Sequence, residues 1–251
     1  MENERRKLVE NLSYNINVKS IKEEIEHCAD VFCITPHSAY KYAEKNHAKI
    51  IRQQEQEGME GIFAVPSIVS ISGIRDGNVI SLWDEYHLAC VRMKMILQEE
   101  LALNDLTNSN DNNDGRPRIW KLESDAVRAR WRADDVQRGQ DIILISAQLG
   151  REYVDCSHNC ASLKMFSNGR GEFPLDFCSF GAILLLHPER MKSEDSLIAD
   201  MFGTRISIKN KFGIGNDRIP LLQRFCGKLT LSTYPTDDHS YRCGIPSGIV
   251  M

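Results

Sequence analysis

Apolar residues return along this chain at spacings that separate helices from strands. The clearest case is the segment 81–103, in which apolar side chains recur at every third or fourth position. That spacing places them on one face and predicts a long amphipathic helix. Ser20 with Glu23 forms a capping-box pattern, and Thr35 with Pro36 is typical of a helix start. The N-terminal part is therefore predicted to be mainly helical.

The strand patterns lie mostly later in the chain. Segment 141–150 is a continuous apolar run that ends in glycine, which suits a strand buried on both faces. Segments 204–210 and 228–235 alternate apolar and polar residues with the two-residue period of a strand. Residues 61–72 are interpreted as one or two short strands that Pro66 interrupts.

Two further helices are predicted in the C-terminal part of the chain. One covers 123–139, and the other lies in 174–191 and ends before Pro188. Helices and short strands are thus mixed without a strict strand–helix–strand repeat. This pattern favours an α+β fold, with a mixed α/β arrangement as the alternative.

An Asn- and Asp-rich segment, 104–118, divides the chain. It is nearly free of apolar side chains, so we predict a flexible exposed loop or linker. A helix-rich part, 1–103, precedes it, and a part with a mixed sheet and packed helices, 119–251, follows. The length of 251 residues fits two small domains or one large domain that both parts form.

Composition narrows the class of protein. The hydrophobic content of 42% and charged content of 26% are ordinary for a folded protein, and the net charge of −4 gives no sign of a nucleic-acid or membrane-surface protein. No stretch is long and apolar enough to span a membrane, and the charged N-terminus lacks the apolar core of a signal peptide. We expect a cytoplasmic protein, although export by another route would leave no such mark.

The segment 151–160 follows the predicted buried strand directly and concentrates reactive side chains. Loops at the carboxyl end of a buried strand often carry ligand-binding groups. One hypothesis is therefore a hydrolase or nuclease-like enzyme with catalytic candidates Arg151, Asp155, Cys156 and His158. Cys156 would act as nucleophile and His158 as its base, with His187 or His239 from other segments as alternative bases. Asp155 or Glu152 would orient the base, and Arg151 would anchor an anionic group of the substrate.

The same segment is a candidate zinc site. Cys156, His158 and Cys160 alternate, so an extended backbone would place all three side chains on one face. Thiolate and imidazole are zinc ligands, and a fourth ligand would come from elsewhere. The alternative is a polar loop with free thiols, since the chain has eight cysteines but no CxxC pair.

No phosphate-binding loop or nucleophile elbow is present. The function expected first is therefore a non-enzymatic interaction or accessory module that binds a protein partner or associates with itself. Nucleic-acid binding through the basic segment 116–132 would need its arginines beside an exposed Trp120. That function is disfavoured because acidic residues offset the charge of the segment.

Overall fold

Helices dominate the described residues before position 104, as the apolar spacing predicts. The computed structural model describes residues 16–73, 82–107, 118–122, 137, 139–210, 213–235 and 243–251. Helices and mixed sheets together form an α+β fold, which confirms the predicted class. Most of the predicted helix over 123–139 and most of the segment 104–118 lie outside the described residues.

Helix α1, Ile21–Phe32, begins at the predicted capping box. The Ser20 hydroxyl accepts a hydrogen bond from the Glu23 N–H at 3.3 Å, and the Glu23 carboxylate accepts one from the Ser20 N–H at 2.9 Å. Two backbone donors that the helix start leaves unpaired are thereby satisfied. The hydrogen bonds from Ser20 also hold the pKa of the exposed Glu23 carboxyl below its ordinary value.

Helices α2, His37–Lys45, and α3, His47–Gln54, follow and are separated by Asn46. The start of α2 lies one residue beyond the predicted one. Pro36 occupies the N-cap position, and no side chain caps this helix.

The segment 61–72 forms one strand, which ends at Pro66, and one helix. The first of the one or two predicted strands is thus confirmed, whereas a second strand after Pro66 is not formed. Strand β1 is Gly61–Pro66, and helix α4 is Ile68–Ser72. The Ser67 hydroxyl starts the helix by accepting a hydrogen bond from the Ser70 N–H at 3.1 Å. A capped start of this kind overrides the strand preference of the β-branched residues.

Helix α5, Leu82–Leu101, is the long amphipathic helix of the sequence pattern. The predicted apolar face is buried at Tyr86, Ala89, Cys90, Met93 and Leu97. This confirms both the predicted helical period and the prediction of which helix face is buried.

The later elements include most of the strands of two sheets. The remaining strands are β2 Asn104–Asp105, β3 Arg118–Leu122, β4 Ile142–Gln148, β5 Glu172–Pro174, β6 Ile198–Asp200, β7 Thr204–Asn210, β8 Gly213–Phe225, β9 Lys228–Pro235, β10 Cys243–Gly244 and β11 Ser247–Val250. Helix α6 is His158–Ser167, helix α7 is Phe177–Leu186, and a 3-10 turn covers Pro188–Met191.

The first sheet has the strand order β1-β4-β11-β5, with all neighbouring strands antiparallel. Strand β4 is buried along its whole length, as its apolar run predicts. Strand β11 lies between β4 and β5 and is therefore an interior strand of this sheet. Because β1 pairs with β4 from Gly61↔Ala147 to Pro66↔Ile142, the sheet joins the two parts of the chain on either side of 104–118.

The second sheet has the order β10-β6-β8-β7-β3, with β9 beside β8 and β2 beside β9. The long strand β8 pairs first with β7 and then with β9 and β6. Strands β7 and β9 are the two alternating segments of the sequence, and both predictions are confirmed. Strands β6, β9 and β10 of this sheet bring distant residues close to the loop that follows β4.

Helix α7 lies in the main hydrophobic cluster, which takes side chains from both sheets and from α4 and α5. It ends at Leu186, before Pro188 as predicted. No helix within the described residues is long and apolar enough to cross a membrane.

Candidate functional site

The loop between β4 and α6 is held in place by backbone contacts. Gly150 has a φ of 115°, and a Cβ at this position would lie 3.1 Å from the Leu197 side chain and from the Gly244 backbone. Only glycine fits such a close approach at this φ without strain. The Gln148 side-chain oxygen then accepts hydrogen bonds from the N–H groups of Gly150, at 2.7 Å, and Glu152, at 3.3 Å.

The far end of the loop is fixed against strand β10. Val154 forms a bridge with Gly244, and the Asp155 N–H donates to the Cys243 carbonyl at 3.2 Å. Asp155 has a φ of 56°, so the chain turns sharply there. Ser157 then caps helix α6 by accepting a hydrogen bond from the Cys160 N–H at 3.3 Å, which places His158 in the first turn of that helix.

His158 is buried, with 7% of its surface exposed, and contacts residues from two strands. Its Nε2 lies 2.7 Å from Oδ2 of Asp200 and 2.7 Å from the hydroxyl of Tyr234. The Tyr234 hydroxyl also donates a short hydrogen bond to Asp200 Oδ2. We call these three residues the His158 cluster.

Hydrogen bonds join all three side chains of the His158 cluster. The Tyr234 hydroxyl donates to Asp200 Oδ2, and the His158 tautomer with its hydrogen on Nε2 donates to the same carboxylate oxygen. In this tautomer Nδ1 is the ring nitrogen without a hydrogen. Burial, followed by the charge and hydrogen bond of Asp200, raises the pKa of Tyr234 far above its ordinary value, so this hydroxyl keeps its proton.

An aromatic ring fixes the plane of the imidazole. The Phe202 ring stacks on His158 with centroids 4.6 Å apart and planes 5° from parallel. The Arg205 guanidinium lies 4.9 Å from the centroid of the same Phe202 ring. The charge of Arg205 acts against the upward shift in the pKa of Tyr234, so a positive group lies close to the cluster.

Asp200 is the most deeply buried member of the His158 cluster. Its side chain is 3% exposed, and its second oxygen, Oδ1, is buried without a hydrogen-bond partner among the described residues. A buried carboxylate oxygen in this state is costly, and it can accept a hydrogen bond from a molecule that enters the site.

Cys156 lies at the edge of the same region. Cys156 is half-buried. Both Cys156 and Tyr234 pack against the hydrophobic cluster that contains Phe202. The Lys164 ammonium lies 3.5 Å from Cys156 Sγ.

The other predicted site residues are more exposed than His158. Asp155 and Cys160 are exposed, and Arg151 is half-buried on the loop. Asp200, from a strand that sequence reasoning did not single out, is bound to His158 in the way expected of Asp155. No motif spacing links residues 158, 200 and 234, although Tyr234 lies in a predicted strand.

The zinc hypothesis depended on an extended backbone over 156–160. The structure instead begins helix α6 at His158, so His158 is directed into the protein while Cys160 is exposed. Within the described part of the chain, no group of three or more His, Cys, Asp or Glu side chains could hold a metal ion. The arrangement thus gives the predicted zinc ligands Cys156, His158 and Cys160 no support, and zinc stays a prediction.

The requirement for an exposed tryptophan in nucleic-acid binding is not met at Trp120. This side chain is 2% exposed, and its ring packs on Phe177 with centroids 4.7 Å apart. It is therefore not free to stack on a base. The rest of the basic segment, apart from 118–122, lies outside the described residues.

Comparison with protein-family models, with curated proteins and with solved structures found no match for this chain. The function proposed below therefore rests on the geometry of the site.

Proposed function

We propose that the protein is a hydrolase that uses Cys156 as nucleophile and His158 as general base. The single observation that carries the proposal is the contact between His158 Nε2 and Asp200 Oδ2 at 2.7 Å. A carboxylate on one ring nitrogen orients the imidazole, stabilises its protonated form and leaves the other nitrogen for proton transfer.

The reaction follows from these roles. His158 Nδ1 takes the proton of the Cys156 thiol, and the thiolate attacks an acyl carbon of the substrate. The protonated imidazole then returns the proton to the leaving group, so the acyl group is bound to sulfur. Water, activated by Nδ1, hydrolyses this thioester and restores the thiol. Tyr234 keeps Asp200 in place through their hydrogen bond and is a positioning residue.

The proposal can be tested without a substrate, by the rate at which iodoacetamide alkylates each cysteine. Peptide mapping by mass spectrometry would give the rate at Cys156 as a function of pH. We expect Cys156 to react about tenfold faster than an ordinary exposed thiol at neutral pH, and to keep this advantage below the ordinary thiol pKa of about 8.5.

The chain offers internal controls, since Cys160 and Cys226 are both exposed. His158→Gln and Asp200→Asn should bring the Cys156 rate down to that of the controls, with circular dichroism used to verify folding. Equal rates at Cys156, Cys160 and Cys226 in the unaltered protein at every pH would contradict the proposal, and this comparison needs no variant.

A second candidate function, self-association through helix α6, is favoured by a different observation. Leu163 and Phe166 are three residues apart on this helix, and their exposed fractions are 69% and 88%. Residues at this spacing are neighbours on a helix surface, and adjacent exposed apolar side chains often mark an interaction site. We propose that two copies of the chain associate through this surface.

Sedimentation velocity would test self-association. The unaltered protein should form a dimer whose fraction rises with concentration, and Phe166→Ser should shift it to the monomer because the variant removes the larger apolar side chain. Phe225→Ser is the matched control, since Phe225 is also exposed, at 58%, but lies at the end of strand β8. A monomer at all concentrations, or equal effects of both variants, would contradict this function.

A further inference from the structure

Two buried cysteines face each other away from the His158 cluster. Cys90 lies on helix α5 and Cys178 on helix α7, and neither exposes any surface. Their Sγ atoms are 3.5 Å apart, which is direct contact between two sulfur atoms. Neither residue has a role in the proposed hydrolase.

The packing of the two helices keeps the thiols in this position. Gly181 on α7 lies so close to α5 that a Cβ at this position would be 3.0 Å from Met93 Cγ. The first turn of α7 is held by Asp176, whose Oδ1 accepts a hydrogen bond from the Cys178 N–H at 2.9 Å. Tyr86, on α5, donates to the same Asp176 oxygen at 3.3 Å. Both cysteines therefore lie on rigid elements that are joined one turn from the thiols.

We propose that Cys90 and Cys178 are a redox modification site that forms an intramolecular disulfide under hydrogen peroxide. A disulfide has an S–S bond of about 2.05 Å, so the sulfurs need to approach by roughly 1.5 Å. Rotation of the two side chains can supply a movement of this size. The reduced pair would then be the state of a reducing compartment, and the disulfide the state after peroxide stress.

Hydrogen peroxide is the oxidant that converts the two thiols to a disulfide. The thiolate of one cysteine attacks an oxygen of hydrogen peroxide, the O–O bond breaks, and hydroxide leaves, which gives a sulfenic acid. The second thiolate attacks the sulfenic sulfur, the S–S bond forms, and the oxygen leaves as a second hydroxide. The two protons released when the thiols ionise convert both hydroxides to water. Overall, two thiols lose two electrons and two protons, and one peroxide becomes two molecules of water.

Burial determines the rate of the reaction. Because neither sulfur is exposed, peroxide reaches the pair only during local opening of the helices. We therefore expect oxidation of the pair to be slower than oxidation of the exposed thiols, but to end in one defined crosslink. Dithiothreitol should reverse it.

The test begins with the folded, full-length protein. N-ethylmaleimide first blocks the exposed thiols, hydrogen peroxide is then added, and the protein is unfolded and digested without reduction. Mass spectrometry should find the Cys90 and Cys178 peptides joined, with a mass two hydrogens below their sum. Cys90→Ala and Cys178→Ala should each abolish this crosslinked peptide.

Cys28 is the matched control, since it is also fully buried but packs in a different hydrophobic cluster. It should be recovered as a free thiol after the same treatment. The proposal would be overturned if Cys90 and Cys178 were also recovered as thiols after prolonged exposure. It would equally be overturned if they formed crosslinks to other cysteines rather than to each other.

Discussion

Arg190 is the largest of the fully buried side chains in the described part of the protein. Its guanidinium donates two hydrogen bonds to the Leu149 carbonyl, from Nε at 3.1 Å and from Nη2 at 2.7 Å. It donates a third to the Leu197 carbonyl at 2.8 Å. The arginine thereby ties the end of β4 to the segment just before β6, and these two segments lead to His158 and Asp200. Arginine is normally a surface residue, so this buried role of Arg190 was not predictable from the sequence.

Replacement of Arg190 with methionine should destabilise the fold. The apolar chain fills much of the volume, but the carbonyls of Leu149 and Leu197 lose their donors. We expect the free energy of unfolding to fall by about 2–4 kcal/mol. Chemical denaturation followed by circular dichroism would measure this change.

Arg224→Met is the control for that measurement. Arg224 also donates to two carbonyls, those of Met191 and Gly227, but it is only half-buried. Its loss should change the free energy of unfolding by less than about 1 kcal/mol, because water can replace its hydrogen bonds. Similar losses for both variants would show that the burial of Arg190 is not what makes it important.

Among the helices and strands, the predictions were correct where an apolar pattern extended over many residues or where a helix cap involved only neighbouring residues. Helix α5 follows a pattern sustained over twenty residues, and α1 begins at a capping box that needs only two nearby residues. The errors occurred in short segments. Residues 68–72 combine β-branched side chains with a serine cap, and the cap decided the structure. Local patterns thus determine an element when they agree, but not when they compete.

Helix α6 shows the consequence of such an error for a site. The alternation of Cys156, His158 and Cys160 suggested one shared face, which holds only for an extended chain. Ser157 caps a helix instead, and the two-residue spacing then directs His158 and Cys160 differently. The sequence pattern therefore pointed to the loop that leads to His158, but it did not reveal Asp200 and Tyr234 as the contacts of this histidine.

In the fold as a whole, the candidate site combines residues from distant segments of the chain. Only the topology of the second sheet brings them close together. Asp200 lies in a three-residue strand and Tyr234 in a different strand of the same sheet. Their contact with His158 depends on how β6, β8 and β9 pair, which involves segments far apart in the chain. Sequence patterns specify which face of a strand is apolar, but they do not specify which strands become neighbours. That is why the histidine was predicted and its carboxylate was not.

The same long-range pairing bears on the number of folding units. Strand β1, from the part before residue 104, pairs over six residues with β4 from the part after residue 118. The main hydrophobic cluster also takes Phe63 and Met93 from the first part and Ile145 and Leu222 from the second. Separation of the parts would expose this shared apolar surface to water. We infer that the two parts fold as one cooperative unit.

Separate expression of the fragments 1–103 and 119–251 would test this inference. Neither fragment should show a cooperative thermal transition, because each lacks half of the shared core, whereas the intact chain should show a single transition. The control is a pair of co-expressed chains divided between residues 110 and 111, a cut that interrupts none of the described strands or helices. This pair should copurify and unfold together. A fragment 119–251 that unfolds cooperatively on its own would instead establish two domains, and the His158 cluster would then belong entirely to the second.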